Sequence, residues 1–184
     1  MAWGPVMSQL TEIRWHARAG QGAKTAAQAL ALASMNAGKS VQTFPEYGPE
    51  RRGAPLRAFT RVADRPIRRH DGVTEPDLVV VLEPSLVHES AVAEGLKPDG
   101  VVLVNAEEPP EELEGLPVRC VPASRLAAEQ GSSFANVVML GAVAAALGEP
   151  PLKEVQEATV QLLGRKLDAN AIRTAVKEGH AWLS

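Results

Sequence analysis

Two short runs, Leu78-Val79-Val80-Val81-Leu82 and Val101-Val102-Leu103-Val104, contain no polar residue, and they constrain the fold more than any other feature of the chain. A strand wetted on one face alternates apolar and polar positions. A strand without alternation is covered on both faces, as in parallel sheets sandwiched by helices. Parallel neighbours cannot be joined by a hairpin, so a crossover has to separate the two runs. Pro84 to Ala93 is expected to supply it as a helix, and Pro98-Asp99-Gly100 turns the chain into the second run. Val118 to Val121 reads as a third, shorter strand of the same kind.

Upstream, Thr11 to His16 alternates around Ile13 and Trp15, and an Ala/Leu-rich stretch from Ala23 to about Ala37 follows the turn Gly20-Gln21-Gly22. The pattern is strand, tight turn, helix. Gly38 stops the helix, and Val41 to Phe44 forms a second strand that ends at Pro45. This opening reads as a βαβ unit. Glu46 to Pro55 is a loop by its prolines, glycines and charges, and Leu56 to Ala63 alternates as a strand. The acidic, proline-bearing piece Glu107 to Gly115 reads as a solvated loop.

From Ser124 onward the periodicity is helical: Ser124 to Gln130, Phe134 to Leu147, Leu152 to Leu163 and Ala169 to Glu178, with Asp168 as a cap and Gly179 as a stop. Ser132 or Ser133 is expected to cap the helix that Asn136 opens, and the small residues Gly141, Ala142, Ala144, Ala145 and Ala146 suggest close helix contact. The fold class is therefore α/β: a single Rossmann-like domain with a mostly parallel central sheet flanked by helices and a helical C-terminal portion. Residues 1–10 read as a disordered N-terminal extension and residues 11–184 as the domain.

Composition narrows the function. The net charge of -3 argues against nucleic acid as the main partner, which usually needs a broad basic field. One cysteine, Cys120, excludes an internal disulfide, and no Cys-x-x-Cys offers a zinc or iron–sulfur site. Cys120 falls in an apolar strand and reads as a buried, inert thiol. His16, His70, His88 and His180 lack metal-ligand spacing and read as structural or exposed. With no basic start, signal-type apolar stretch or membrane-length run, the chain is assigned to the cytoplasm.

Two clusters remain as candidate sites. Gly20, Gln21 and Gly22 lie where backbone N–H groups and the helix dipole would face an anion. As a dinucleotide fingerprint the turn is defective, with Thr25 in place of the third glycine. As a phosphate-binding loop ending in Lys24-Thr25 it lacks glycines at Arg18 and Ala23. A plain strand-to-helix turn accounts for it equally well. The second cluster is Glu46-Tyr47-Gly48-Pro49-Glu50-Arg51-Arg52-Gly53-Ala54-Pro55, opening a stretch that also holds Arg57, Arg61, Arg65, Arg68 and Arg69. Arginine suits bidentate recognition of carboxylate or phosphate, although a solvated hairpin paired with Glu46, Glu50 and Asp64 explains the run without a ligand. Loops after parallel strands share one carboxyl edge, which places both clusters on one face.

Three segments together resemble the gamma subunit, or gamma domain, of the 2-oxoacid:ferredoxin oxidoreductases. They are Glu12-Ile13-Arg14-Trp15-His16 through Gly20-Gln21-Gly22, the run Phe44 to Pro55, and Asn136 with Leu140-Gly141. Gly48-Pro49-Glu50-Arg51-Arg52-Gly53-Ala54-Pro55 is most similar to the pyruvate-like branch. The resemblance implies an enzyme of several chains, in which thiamine-binding and iron–sulfur subunits carry thiamine diphosphate and the clusters. It implies oxidative decarboxylation of a 2-oxoacid, with coenzyme A taking the acyl group and ferredoxin the electrons. Gly20, Gln21, Gly22, Glu46, Tyr47, Gly48, Arg51, Arg52 and Asn136 would then face partner subunits or contact coenzyme A, with no catalytic residue and no metal in this chain. Ala17 and Ala19 stand where the family usually has glycine, so strain is expected in the turn if those positions require positive φ.

Two rivals stay open at this level. One is a self-sufficient NAD(P)- or flavin-binding oxidoreductase with Glu46 as the ribose-binding acid. The other is a non-enzymatic scaffold that grips an acidic partner with the arginine loop.

Overall fold

The computed structural model describes residues 9–46 and 53–184. Its elements run β1 (Leu10–Arg18), α1 (Ala23–Asn36), β2 (Ser40–Glu46), β3 (Pro55–Ala63), β4 (Leu78–Val81), α2 (Leu86–Glu89), β5 (Val101–Val104), β6 (Val118–Cys120), α3 (Ala123–Glu129), α4 (Ala135–Leu147), α5 (Leu152–Leu163) and α6 (Ala169–Leu183). The six strands form one sheet in the order β2-β3-β1-β4-β5-β6. β1, β4, β5 and β6 are parallel neighbours, while β3 runs antiparallel to both β1 and β2. β1 opens at Leu10, one residue inside the expected extension, because Leu10 pairs with Ala63.

The apolar runs are covered on both sides. Leu78 and Val80 join the larger core under α1, α4, α5 and α6, and Val79 and Val81 join a second core with Leu86, Val87, Val92 and Leu113. The crossover between β4 and β5 is less helical than expected, since α2 spans only Leu86–Glu89. Ser90 turns to extended backbone, and the rest of the connection is built of short turns. Glu107 to Gly115 is not wholly solvated either. A single 3₁₀ turn, Glu111–Leu113, drops Leu113 into the second core.

The opening is not a simple βαβ pair. β3 inserts between β1 and β2, so β2 becomes the edge strand. β1 alternates as expected, but both of its sides are buried. Ile13, Trp15 and Ala17 pack in the larger core, and Glu12, Arg14 and His16 are buried on the opposite face. The expected solvated arginine hairpin fails at its centre for the same reason. Arg61 is fully buried and donates from Nε to Glu12 at 2.8 Å, a pair that burial strengthens and that would be costly to break on one side. Asp64 pairs with Lys39 rather than with an arginine.

Two helix boundaries differ from the sequence pattern. α6 continues through Gly179 to Leu183, and Gly179 serves close packing rather than termination. At α4 the residue before the helix is Phe134 and no side chain caps it; the Ser132 hydroxyl instead accepts from the Phe134 N–H at 3.1 Å, tightening the turn before the helix. Asp168 caps α6 as expected, accepting from the Ala171 N–H at 2.8 Å. No helix among the described residues is long and apolar enough to cross a membrane.

Candidate functional site

The parallel strands β1, β4 and β5 all end on one edge, and the connections leaving them diverge there: β1 leads to α1, while β4 and β5 continue the sheet in the opposite direction. Crevices at such switch points are the usual binding places of open α/β sheets. A cleft of about 310 Å³ opens here, lined by Gln21 from the glycine turn, Leu82 and Glu83 after β4, Asn105 after β5, Ser124 on α3, and Asn136 on α4.

The glycine turn is shaped by conformation and by contact. Gly20 and Gly22 adopt φ of +100° and +82°, in the region that L side chains avoid. At Gly22 there is a second reason: an added Cβ would lie 2.5 Å from Asn136 Nδ2, which donates to the Gly22 carbonyl at 3.3 Å. Gln21 locks the turn from its centre. Its Oε1 accepts from the Arg18 N–H at 2.7 Å and its Nε2 donates to Glu83 Oε2 at 2.6 Å. Ala17 and Ala19 carry no strain, since positive φ among the described residues is confined to glycines. Ala17 instead packs in the larger core.

Glu83 gives the cleft its charge. Burial works against its ionised form, but hydrogen bonds from Gln21 and Ser85, with Arg18 nearby, outweigh that and hold the carboxyl below the usual range. Asn105 donates to the Leu82 carbonyl at 3.0 Å and to Ser124 Oγ at 2.8 Å, and accepts from the Ser124 N–H at 3.0 Å, tying the ends of β4 and β5 to α3. Neither Glu83 nor Asn105 is flagged by sequence motifs. The available signal was position, because each is the first polar residue after a strand buried on both faces.

Gly20, Gln21, Gly22 and Asn136 thus come together, and Glu46 does not join them. It ends β2 on the same edge but two strands from β1, roughly 10 Å away at ordinary strand spacing. There it pairs with Arg57 Nε at 2.8 Å. A ribose-binding acid must sit on the strand next to the glycine turn, so the inserted β3 removes the geometric basis of the dinucleotide reading. Tyr47, Gly48, Arg51 and Arg52 lie outside the described residues. Gly53 and Ala54 lie beside the turn: Ala19 donates its N–H to the Ala54 carbonyl at 2.9 Å and Arg18 Nη1 donates to the Gly53 carbonyl at 3.3 Å. No group of histidine, cysteine and carboxylate side chains that could hold a metal ion occurs among the described residues. The cleft also offers a poor seat for phosphate, because its ionised group is a carboxylate.

Comparison with known proteins decides the family. Residues 12–182 match the family described as pyruvate ferredoxin/flavodoxin oxidoreductase. The chain belongs to that family. Within the pyruvate ferredoxin/flavodoxin oxidoreductase family it is 41% identical to the pyruvate synthase subunit PorC of Thermotoga maritima, over 96% of both chains. It is 50% identical to the pyruvate/ketoisovalerate oxidoreductases common subunit gamma of Thermococcus kodakarensis, over 81% of this chain and 84% of that one. The crystal structure of the pyruvate oxidoreductase subunit PORC from Thermotoga maritima superposes with a TM-score of 0.80 at 37% identity, covering 95% of this chain and 97% of that chain. A 2-oxoglutarate:ferredoxin oxidoreductase from Magnetococcus marinus shares the fold at a TM-score of 0.80 and 21% identity, with 96% of this chain matching 31% of that longer one.

Proposed function

We propose that this chain is the gamma subunit of a multi-subunit 2-oxoacid:ferredoxin oxidoreductase, which oxidatively decarboxylates a pyruvate-like 2-oxoacid to acyl-CoA and CO2 and passes the electrons to ferredoxin. The observation that carries this reading is end-to-end similarity to a PorC subunit in both sequence and fold. Membership of an oxidoreductase family counts against the scaffold rival.

In this reading thiamine diphosphate and iron–sulfur clusters reside on partner subunits, the assembly works in the cytoplasm, and residues 11–184 act as one gamma-type domain. The carboxyl edge of the sheet is the face turned toward those partners. Gly20, Gln21, Gly22 and Asn136 hold its floor, and Glu46, Tyr47, Gly48, Arg51 and Arg52 are assigned to contact with partner subunits. The role of these residues is to position and to neutralise charge. A contact of this chain to coenzyme A would run through Arg51 and Arg52, since Glu83 makes the cleft itself unsuited to phosphate.

Mild purification from the native source tests the assembly: thiamine-binding and iron–sulfur chains should copurify with this one. The Arg51→Ala/Arg52→Ala variant tests the partner contact, with weakened assembly or a raised KM for coenzyme A expected. Recovery of the chain free of such partners would remove the subunit reading, and unchanged assembly and kinetics in the double variant would remove the assigned contact alone.

A further inference from the structure

The carboxylates that the sheet buries come with their own cations. Glu12 pairs with Arg61 and Asp77 with Lys97, each at 2.8 Å. Glu83, half-buried where β4 runs out, has no ion pair among the described residues. It accepts from neutral donors, Gln21 Nε2 at 2.6 Å and the Ser85 hydroxyl and N–H at 2.9 and 3.3 Å. Arg18, whose charge favours the ionised carboxyl, directs its guanidinium instead to Glu89, to Ser85 Oγ at 2.9 Å and to the Gly53 carbonyl at 3.3 Å.

A second acceptor opens on the same cleft. Asn136 is 8% exposed, and because a carbonyl can only accept, the bond to the Gly22 carbonyl fixes its amide with Nδ2 toward the turn. Its Oδ1 accepts nothing among the described residues. That oxygen is not sealed in the core, where Ser34 Oγ is the polar atom left without a partner, so it opens to the cleft its side chain lines. The exposed hydroxyls of Ser124 and Ser133 border the same space, and no lysine, arginine or histidine lines it. Its volume of about 310 Å³ is at the low end of the range of small-molecule sites.

We propose that this cleft receives the guanidinium of an arginine from a partner subunit, with Glu83 as its counter-ion and Asn136 Oδ1 and the serine hydroxyls accepting from its remaining N–H groups. Arginine presents five donors in a planar fork and no acceptor, the complement of acceptors gathered around one carboxylate, and it is the cation best suited to interface ion pairs. The occupant rests on the gamma-subunit reading; the affinity of the cleft for a guanidinium does not.

The test is a titration of the full chain at constant ionic strength, following the side-chain amides of Gln21 and Asn136 by proton–nitrogen NMR. Methylguanidinium is the probe and methylurea its uncharged counterpart. Acetate is the third arm, because α1 and α4 begin at this cleft and helix amino ends attract anions. The expected result is a saturable shift of both amides, with methylguanidinium about tenfold tighter than methylurea and no response to acetate. Glu83→Gln should remove the preference for the cation. Ser133→Arg, which changes an exposed residue and supplies a guanidinium from the chain itself, should abolish the shift and lower the yield of copurifying chains several-fold. An equal response to methylurea, a response to acetate instead, or a shift that survives in Ser133→Arg overturns the proposal. If the titration behaves as expected but Ser133→Arg assembles in full, the partner's arginine is overturned and the gamma-subunit reading stands. If the unchanged chain copurifies with no partner, that reading fails and the occupant with it.

Discussion

Gly141 of α4 and Gly179 of α6 each lie against the other helix's backbone. A Cβ on Gly141 would stand 2.0 Å from the Val176 carbonyl oxygen, and one on Gly179 would stand 1.8 Å from the Val138 carbonyl oxygen. α4 is buried nearly throughout, so α6 cannot give way without opening the larger core.

Alanine at either glycine should therefore destabilise the protein despite its better helix propensity. Overpacking of a tight core costs about 1–3 kcal/mol or more, against a propensity gain of about 1 kcal/mol. Urea denaturation of Gly141→Ala and Gly179→Ala should show a lowered midpoint for each. A midpoint at or above that of the unchanged protein would mean that the helices can separate freely.

The two glycines of the turn should respond differently. Gly20 and Gly22 both carry positive φ, but a Cβ on Gly20 meets nothing within 4 Å while one on Gly22 meets Asn136. Gly20→Ala should cost about 1 kcal/mol from backbone strain alone. Gly22→Ala should cost more, and Asn136→Ala should recover part of the excess in a double-mutant cycle. Additive losses in that cycle would show that the Gly22–Asn136 contact does not set the turn.

His16 gives stability a pH dependence. Burial, followed by the nearby charges of Arg14 and Arg57, lowers its pKa from 6.5 to about 3. Between those values the unfolded chain holds a proton that the folded chain rejects. Stability contributed by the neutral ring is therefore present above pH 6.5 and is lost as pH falls toward about 3. The slope for one such proton approaches roughly 1.4 kcal/mol per pH unit. His16→Gln, which keeps an acceptor for Arg14 but does not titrate, should flatten the urea midpoint between about pH 6.5 and pH 5, above the range where most carboxylates protonate. An identical pH profile in that variant would place the titration elsewhere.

The sequence by itself determined the class of the protein and most of its elements. Leu78 to Leu82 and Val101 to Val104 carry the signature of strands covered on both faces, and the turn Gly20-Gln21-Gly22 is visible because glycine marks backbone that other residues avoid. These are local or periodic properties, carried by neighbouring residues and readable in order. The resemblance over Phe44 to Pro55 indicated the family for a different reason, since a long run of specific residues is recognisable without knowing what it touches.

Only the tertiary structure decided which elements meet. The insertion of β3 between β1 and β2 depends on pairing across distant segments, and it is what separates Glu46 from the glycine turn. The closing of Glu83 and Asn105 around one cleft depends likewise on strand order. Alternation correctly placed Glu12, Arg14 and His16 on one side of a strand, but periodicity cannot tell a wetted side from one roofed over by a later segment. Residues 73 to 94 provide that roof, and their carbonyls turn an apparently surface-facing Arg14 into a buried cation beside a buried histidine. Burial is a property of what lies across the gap, and no residue records it in its own neighbours.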